Sequence, residues 1–334
     1  MNNLVHGRWI AAARWSGVVD LRAVLERLPP GRGFLQASTA ELLAAGLSSA
    51  RVAELNASRE RAWSSPCLTL EDPAYPAALL ELERPPPVLW WRGCLDLVER
   101  PGVSIVGARS CTPSGLQWAD RIATVVARAG APVVSGAARG IDTAAHRGAL
   151  AAGGPTVAVL GCGLDDSSTR RNEVIGQMIE QGGLVLSEFP PNDPPTTWTF
   201  PRRNRLIAAL GRATVVVEAS ERSGSLHTAR FARELGREVF ALPGRPDASA
   251  SAGALALIAE GATMLLRPGD VLACLGDPAR EVPAKLRNAL AKPASAEAVA
   301  ALSGLEPREV LRLLVTLELT GLVRRLPDQR YAWI

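Results

Sequence analysis

The segment FPRRNRLIAAL, residues 200–210, concentrates charge where a helix tolerates it least. Pro201 suits the first position of a helix whose apolar face begins at Leu206 and Ile207. Arg202, Arg203 and Arg205 then crowd the first turn, with Asn204 among them. The amino end of a helix is already positive, so each cation there costs about 0.3–1 kcal/mol. A bound anion reverses that sign, because the free backbone N–H groups point at it as well. The pattern favours an anion site, and removing these arginines should then weaken binding without unfolding the protein. The competing reading has them reaching into solvent or pairing with acids such as Glu188 and Glu218. Phe200 is placed either to stack on a base or to pack into the core.

A second helix start follows Ser223, Gly224 and Ser225, whose hydroxyls and N–H groups can receive a phosphate. Arg109 stands two residues past one apolar strand. Arg139 stands three past another, in a loop with Ser135, Gly136 and Gly140. Between Arg202 and Arg237 eight arginines meet only Glu218, Glu221 and Glu234. Catalytic readings are weaker. Asp142 and His146 lie four apart on one helix, which suits metal ligation, but no third ligand is apparent, so capping and packing are favoured. Ser187-Glu188 has no base partner that would make a nucleophile. His227 follows the Ser-Gly-Ser turn and is read as packing against the sheet. The glycines after residues 106 and 160 spell neither a P-loop nor a dinucleotide fingerprint. No catalytic residue, metal site or cofactor is predicted.

The elements that must position these residues are apolar runs at 103–107, 132–136, 156–161, 184–188, 213–219, 238–244 and 263–266, each but the last followed by a helical stretch. Near-continuous apolar strands are those of a parallel sheet buried on both faces. Strand–helix alternation predicts an α/β fold, an extended Rossmann-like, doubly wound, mostly parallel sheet. Ligands of such sheets bind beyond the carboxyl ends of the strands, where the arginines collect. Residues 1–65 read as a small helical domain of helix-hairpin-helix or SAM type. The Ala45-Gly46-Leu47 step is its hairpin or simply a glycine-capped helix end. A proline-rich link then leads to a VLWW strand within a central domain, 66–280. Residues 281–334 read as a winged helix: one helix at 284–291, a second capped by Ser295, a third from Pro307 that Gly321 stops, and a hairpin turning at Asp328-Gln329.

With 334 residues, 47% of them hydrophobic, the chain can bury a large core. Its net charge of +4 permits a nucleic-acid partner without demanding one. All but Lys285 and Lys292 of the 37 basic residues are arginine, the residue that forks onto phosphate, although a GC-rich genome gives the same bias. Five cysteines without zinc-ligand spacing suit a reducing compartment. The uncharged stretch 148–164 is broken by Gly153, Gly154 and Pro155, so no membrane insertion is expected and the location is read as cytoplasmic.

The stretches DPAYPAALLELERPPPVLWWRG, SIVGARSCTPSG, VVSGAARGIDTAAHRGAL, TVAVLGCGLD, LSEFPPNDPP, FPRRNRLIAAL, VVEASERSGSLHTARFA and REVFALPGR together resemble the DNA-processing protein A (DprA/Smf) family. The resemblance implies a non-enzymatic protein that binds single-stranded DNA without reading sequence. It further implies loading of RecA during natural transformation, displacement of single-strand-binding protein, and a homodimer. Carried over, the DNA pocket falls on Arg109, on Ser135, Gly136, Arg139 and Gly140, on Phe200 to Arg205, and on Ser223 to Ser225. Two stretches depart from the family pattern: DSSTRRN after GCGLD, and SAGALALI, with Leu255 where an asparagine is usual. The rival reading is a nucleotide-hydrolysing enzyme on a related fold, of the phosphoribohydrolase type, whose PGG and GT motifs this chain lacks.

Overall fold

The computed structural model describes residues 5–58, 62–63, 66–275, 284–290, 292–319, 323–326 and 328–333. The chain opens with β1 (Val5–His6), which pairs antiparallel with β2 (Ala62–Trp63). Between them lie helices Gly7–Ala13, Leu21–Glu26, Thr39–Ala44 and Ser49–Ala57. The Gly46 step is a glycine-capped helix end. Gly46 has φ +103°, its N–H donates to the Leu43 carbonyl, and the Leu47 N–H reaches back to Leu42. Arg8 lies fully buried in the first helix and donates to the carbonyls of Phe34, Leu35 and Ala37.

The main sheet begins with β3 (Cys67–Thr69) and β4 (Val88–Gly93). The seven apolar runs supply β5 (Gly102–Val106), β6 (Val133–Ser135), β7 (Thr156–Leu160), β8 (Leu184–Ser187), β9 (Gly211–Val216), β10 (Glu238–Ala241) and β11 (Thr263–Met264). The spatial order is β11-β10-β9-β5-β6-β7-β8-β4-β3. The seven strands from β5 to β11 are parallel, and the VLWW stretch enters as the antiparallel β4 beside β8. Alternation sorts the faces. Val103, Ile105, Val133 and Val215 pack against helices Pro113–Arg128 and Ile141–Ala151. Val106, Val134 and Val216 pack against helices Thr199–Leu210 and Ser225–Glu234. From β5 the chain steps outward to β8, then returns to the opposite side of β5 as β9. The strand order reverses between β5 and β9, and a crevice opens beyond their carboxyl ends.

Helices Ala284–Ala289, Ala296–Ser303 and Pro307–Leu319 precede an antiparallel pair, β12 (Val323–Arg325) and β13 (Tyr331–Trp333). Ser295 caps the second helix by accepting from the Ala298 N–H at 3.2 Å. Leu286, Leu290, Val299, Val310, Leu314 and Tyr331 form a core of their own. This is the expected winged helix; Gly321 lies outside the described residues. Among the described residues no helix is long and apolar enough to cross a membrane.

Candidate nucleic-acid interface

A cavity of about 650 Å³ occupies the crevice at the strand reversal. Its walls come from the loop after β5, the loop after β6, the segment 195–204 and the Ser223–Ser225 turn. Glycine makes the first loop possible. A Cβ on Gly107 would stand 2.7 Å from Ile141 and 3.0 Å from the Glu218 carbonyl. The two loops meet because Gly140, at φ +84°, packs where a Cβ would lie 2.4 Å from the Ala108 carbonyl. Ala137 sits at φ +52°, an uncommon conformation for a residue with a side chain.

Arg109 stands exposed at the mouth, its guanidinium carbon 4.6 Å from the centre of the Phe200 ring. It makes no ion pair among the described residues. Phe200 is half-buried and packs over Gly161, whose Cβ would lie 2.9 Å from the ring. Ring and cation thus form one stacked unit with both polar and aromatic surface. Opposite, Ser223 and Ser225 hydroxyls lie 2.8 Å apart at the start of the Ser225–Glu234 helix. The N-cap Gly224 has no side chain to cap that helix, and its first N–H groups turn back instead: Ser225 to the Ser223 hydroxyl at 3.4 Å, Leu226 to the Ser223 carbonyl at 3.1 Å and His227 to the Gly224 carbonyl at 3.2 Å. Gly224 is exposed, and Asn204 Nδ2 donates to its carbonyl at 3.1 Å, fixing the turn against the neighbouring helix. Arg139 and Gly140 line an adjoining cleft that shares Arg109 with the main cavity.

The FPRRNR turn is built differently from the sequence-based expectation. Its helix starts at Thr199, two residues before the position assigned to Pro201. Arg203 and Arg205 therefore lie beyond the first turn and point inward. Arg203 is only 3% exposed. It donates to the Gly136 carbonyl at 2.8 Å and to the Val159 carbonyl, joining the ends of β6 and β7. Burial lowers its pKa, opposed by the nearby Asp142 carboxylate. It forms part of the cavity floor with its guanidinium already engaged. Arg205 donates to Glu188 Oε2 at 2.5 Å and to the Ser16 hydroxyl at 3.0 Å. Arg202 lies 3.5 Å from the same carboxylate and beneath Trp198 and Phe189. The pairing reading thus holds for Arg202 and Arg205 with Glu188. Glu218 pairs with neither: it accepts from the Thr112 N–H and hydroxyl.

Ser135 and Gly136 are also set back from the rim. The Ser135 hydroxyl donates to the Ile105 carbonyl at 2.6 Å, cross-linking β6 to β5. A Cβ on Gly136 would lie 2.4 Å from the Arg203 guanidinium, so this glycine makes room for that cation. Sequence reasoning missed Ser16 and Trp198. A lone serine in a helical stretch carries no signal of a partner far along the chain, and a tryptophan there reads as core. His227 is exposed rather than packed on the sheet.

Asp142 and His146 each have protein partners. Asp142 is buried, accepts from the Ala138 N–H and faces Arg203; burial raises its pKa and Arg203 opposes the shift. The His146 Nδ1 lies 2.7 Å from the Thr156 hydroxyl. Burial, reinforced by Arg203, pushes the imidazole down to about 3. Below about pH 6.5 the unfolded chain binds a proton that the folded one refuses until about pH 3, so stability falls as pH drops through that window. His146→Asn, which keeps a polar atom for Thr156, should flatten this fall. Between about pH 7 and pH 4 the parent should lose about 3 kcal/mol more than the variant in urea unfolding. The raised Asp142 pKa works in the opposite sense, gaining stability toward acid, and is common to both proteins. Equal losses for the two proteins would show that His146 is not the acid-sensitive group.

A sequence profile described as DNA recombination-mediator protein A matches residues 66–276, and one described as the DprA winged helix domain matches residues 269–329. Protein Smf of Synechocystis is 45% identical over 213 residues, 63% of this chain and 54% of that protein, so the match spans about half of that relative. DNA processing protein DprA of Streptococcus pneumoniae is 42% identical over 208 residues, 62% of this chain and 73% of that protein. The X-ray structure of the S. pneumoniae protein superposes with a TM-score of 0.67 at 34% identity, covering 80% of this chain and 98% of that one. A structure of DNA processing protein A from Helicobacter pylori, described by its single-stranded DNA binding mode, gives 0.56 at 33% identity, over 63% and 96% of the two chains. The S. pneumoniae and H. pylori proteins are named for DNA processing, and the H. pylori structure also for single-stranded DNA binding, rather than for an enzymatic reaction. With its sheet, its winged helix and a profile match over most of its length, the chain belongs to the DNA recombination-mediator protein A family.

Proposed function

We propose that the cavity between β5 and β9 binds single-stranded DNA without reading its sequence, and that the protein passes the strand to RecA. The observation that carries this reading is the exposed Arg109 stacked on Phe200 at the cavity mouth, opposite the paired Ser223 and Ser225 hydroxyls at the start of the Ser225–Glu234 helix. The cation, the serine hydroxyls and the positive end of the helix suit phosphates, and the ring suits the face of any base. The RecA step and the displacement of single-strand-binding protein rest on the family resemblance. The single-strand binding described for the H. pylori relative supports the ligand class. The test is affinity for oligo-dT and for a duplex of equal length at two salt concentrations. Tighter, salt-dependent binding of the single strand is expected; equal or tighter binding of the duplex would overturn the reading.

The same reading includes a homodimer. β11 ends the sheet, and beside its open edge Met264 and Leu266 are 45% and 65% exposed. An unpaired edge with apolar side chains is a template for association, and two-fold pairs are the commonest closed assemblies. Sedimentation should give twice 35.3 kDa. A mass near one chain at micromolar concentration refutes the dimer.

A further inference from the structure

Trp198 is the site residue that local stability explains least. It is the N-cap of the Thr199–Leu210 helix and makes no side-chain capping bond. That position favours Ser, Thr, Asp or Asn, whose oxygens satisfy free N–H groups, and an indole cannot do so. Nor is Trp198 a core residue, since it is 56% exposed. It is nevertheless held in place. The Arg202 guanidinium carbon lies 5.4 Å from its ring centre, and Phe189 meets it edge-on at 6.1 Å and 75°.

Trp198 also stands between two cavities. Thr196 and Thr197 line the main cavity, and Trp198 itself lines a second of about 980 Å³. Pro201 borders both. The far wall of the second cavity comes from the N-terminal helical unit through Arg14, Gly17 and Val18. Most of its cations are already matched. Arg202 and Arg205 lie against Glu188, Arg84 against Glu83, and Arg230 against Glu234. The chemistry it offers beyond the main cavity is therefore an aromatic face rather than free positive charge.

We propose that a single strand leaving the main cavity crosses Pro201 and stacks a base on the exposed face of Trp198, entering the cavity walled by the N-terminal helical unit. The inference rests on the single-strand reading above and adds a direction and a contact to it. Stacking accepts any base, so the extended site remains indifferent to sequence.

The test compares Trp198→Ala and Trp198→Phe with the parent on oligo-dT of about 4 and about 20 nucleotides, at the short end of the usual single-strand footprints and beyond their long end. Alanine should lower affinity for the long oligomer about 10-fold and leave the short one unchanged, and phenylalanine should restore most of the loss. The log–log salt slope should not move, because a stacking contact releases no counterions. Parent-like binding of the long oligomer by Trp198→Ala, or an equal loss on both lengths, overturns the inference. Arg109→Ala, measured in parallel, separates the two readings. If it binds normally, the cavity reading itself fails; if it loses binding while Trp198→Ala does not, only the Trp198 path fails.

Discussion

Replacing Arg109 by alanine is expected to weaken binding of oligo-dT by about 1.5–3 kcal/mol, the range for a hydrogen bond to a charged group. In affinity that is roughly 10- to 150-fold. The log–log salt slope should flatten by about 0.7, the counterion release of one phosphate on a single strand. Melting should hardly change, because Arg109 is exposed and its contact with Phe200 is worth about 0.5–1 kcal/mol at such a site. The measurement is salt-titrated binding with melting curves alongside. An unchanged slope together with a melting temperature several degrees lower would mean that Arg109 props up the loop and does not hold phosphate.

Arg203→Ala should do the reverse, damaging the fold first. It removes the donor to two carbonyls at the ends of β6 and β7 and leaves buried Asp142 without its cation. Breaking a buried charge arrangement from one side costs about 3–5 kcal/mol. At about 2–4 °C per kcal/mol for a unit of this size, melting should fall by about 10 °C. Arg205→Ala takes from buried Glu188 its shorter ion pair and leaves it the Ser16 hydroxyl and Arg202 at 3.5 Å, so it should also lower the melting temperature, by less. This replaces the sequence-based expectation that the FPRRNR arginines could be removed without unfolding the protein. A variant that melts with the parent but binds more weakly would return Arg203 to the DNA-contacting set.

The fold was legible because its signal is local and repeated. Val103 and Ile105 face one way and Val106 the other, as do Val133 and Val134, and Val215 and Val216, so a near-continuous apolar run marks each of these strands as covered on both faces. The winged helix was legible from Ser295, Pro307 and the Asp328-Gln329 turn, which mark two helix starts and a hairpin locally. The site was legible only in part. Arg109 and the Ser-Gly-Ser turn follow strands directly, so their place is fixed by topology. The fate of Arg203 depends on carbonyls 67 and 44 residues away, and no local pattern distinguishes a cation that meets carbonyls from one that meets water. The two-residue error in the helix start came from Pro201, which occupies the third position of the helix instead of the first.

The Ser16–Glu188–Arg205 junction constrains the order in which the chain can be completed. Ser16 lies 172 residues before Glu188 and 189 before Arg205, and the carboxylate they share is fully buried. During synthesis the N-terminal helices emerge first, long before either partner exists. Their packing also draws on distant chain: Trp9, Leu21 and Phe34 share one apolar cluster with Trp90, Ile175 and Met178. Closing so long a loop costs entropy before any contact rewards it. The first segment made therefore cannot complete its packing until the Thr199–Leu210 helix, which carries Arg205, has been synthesised.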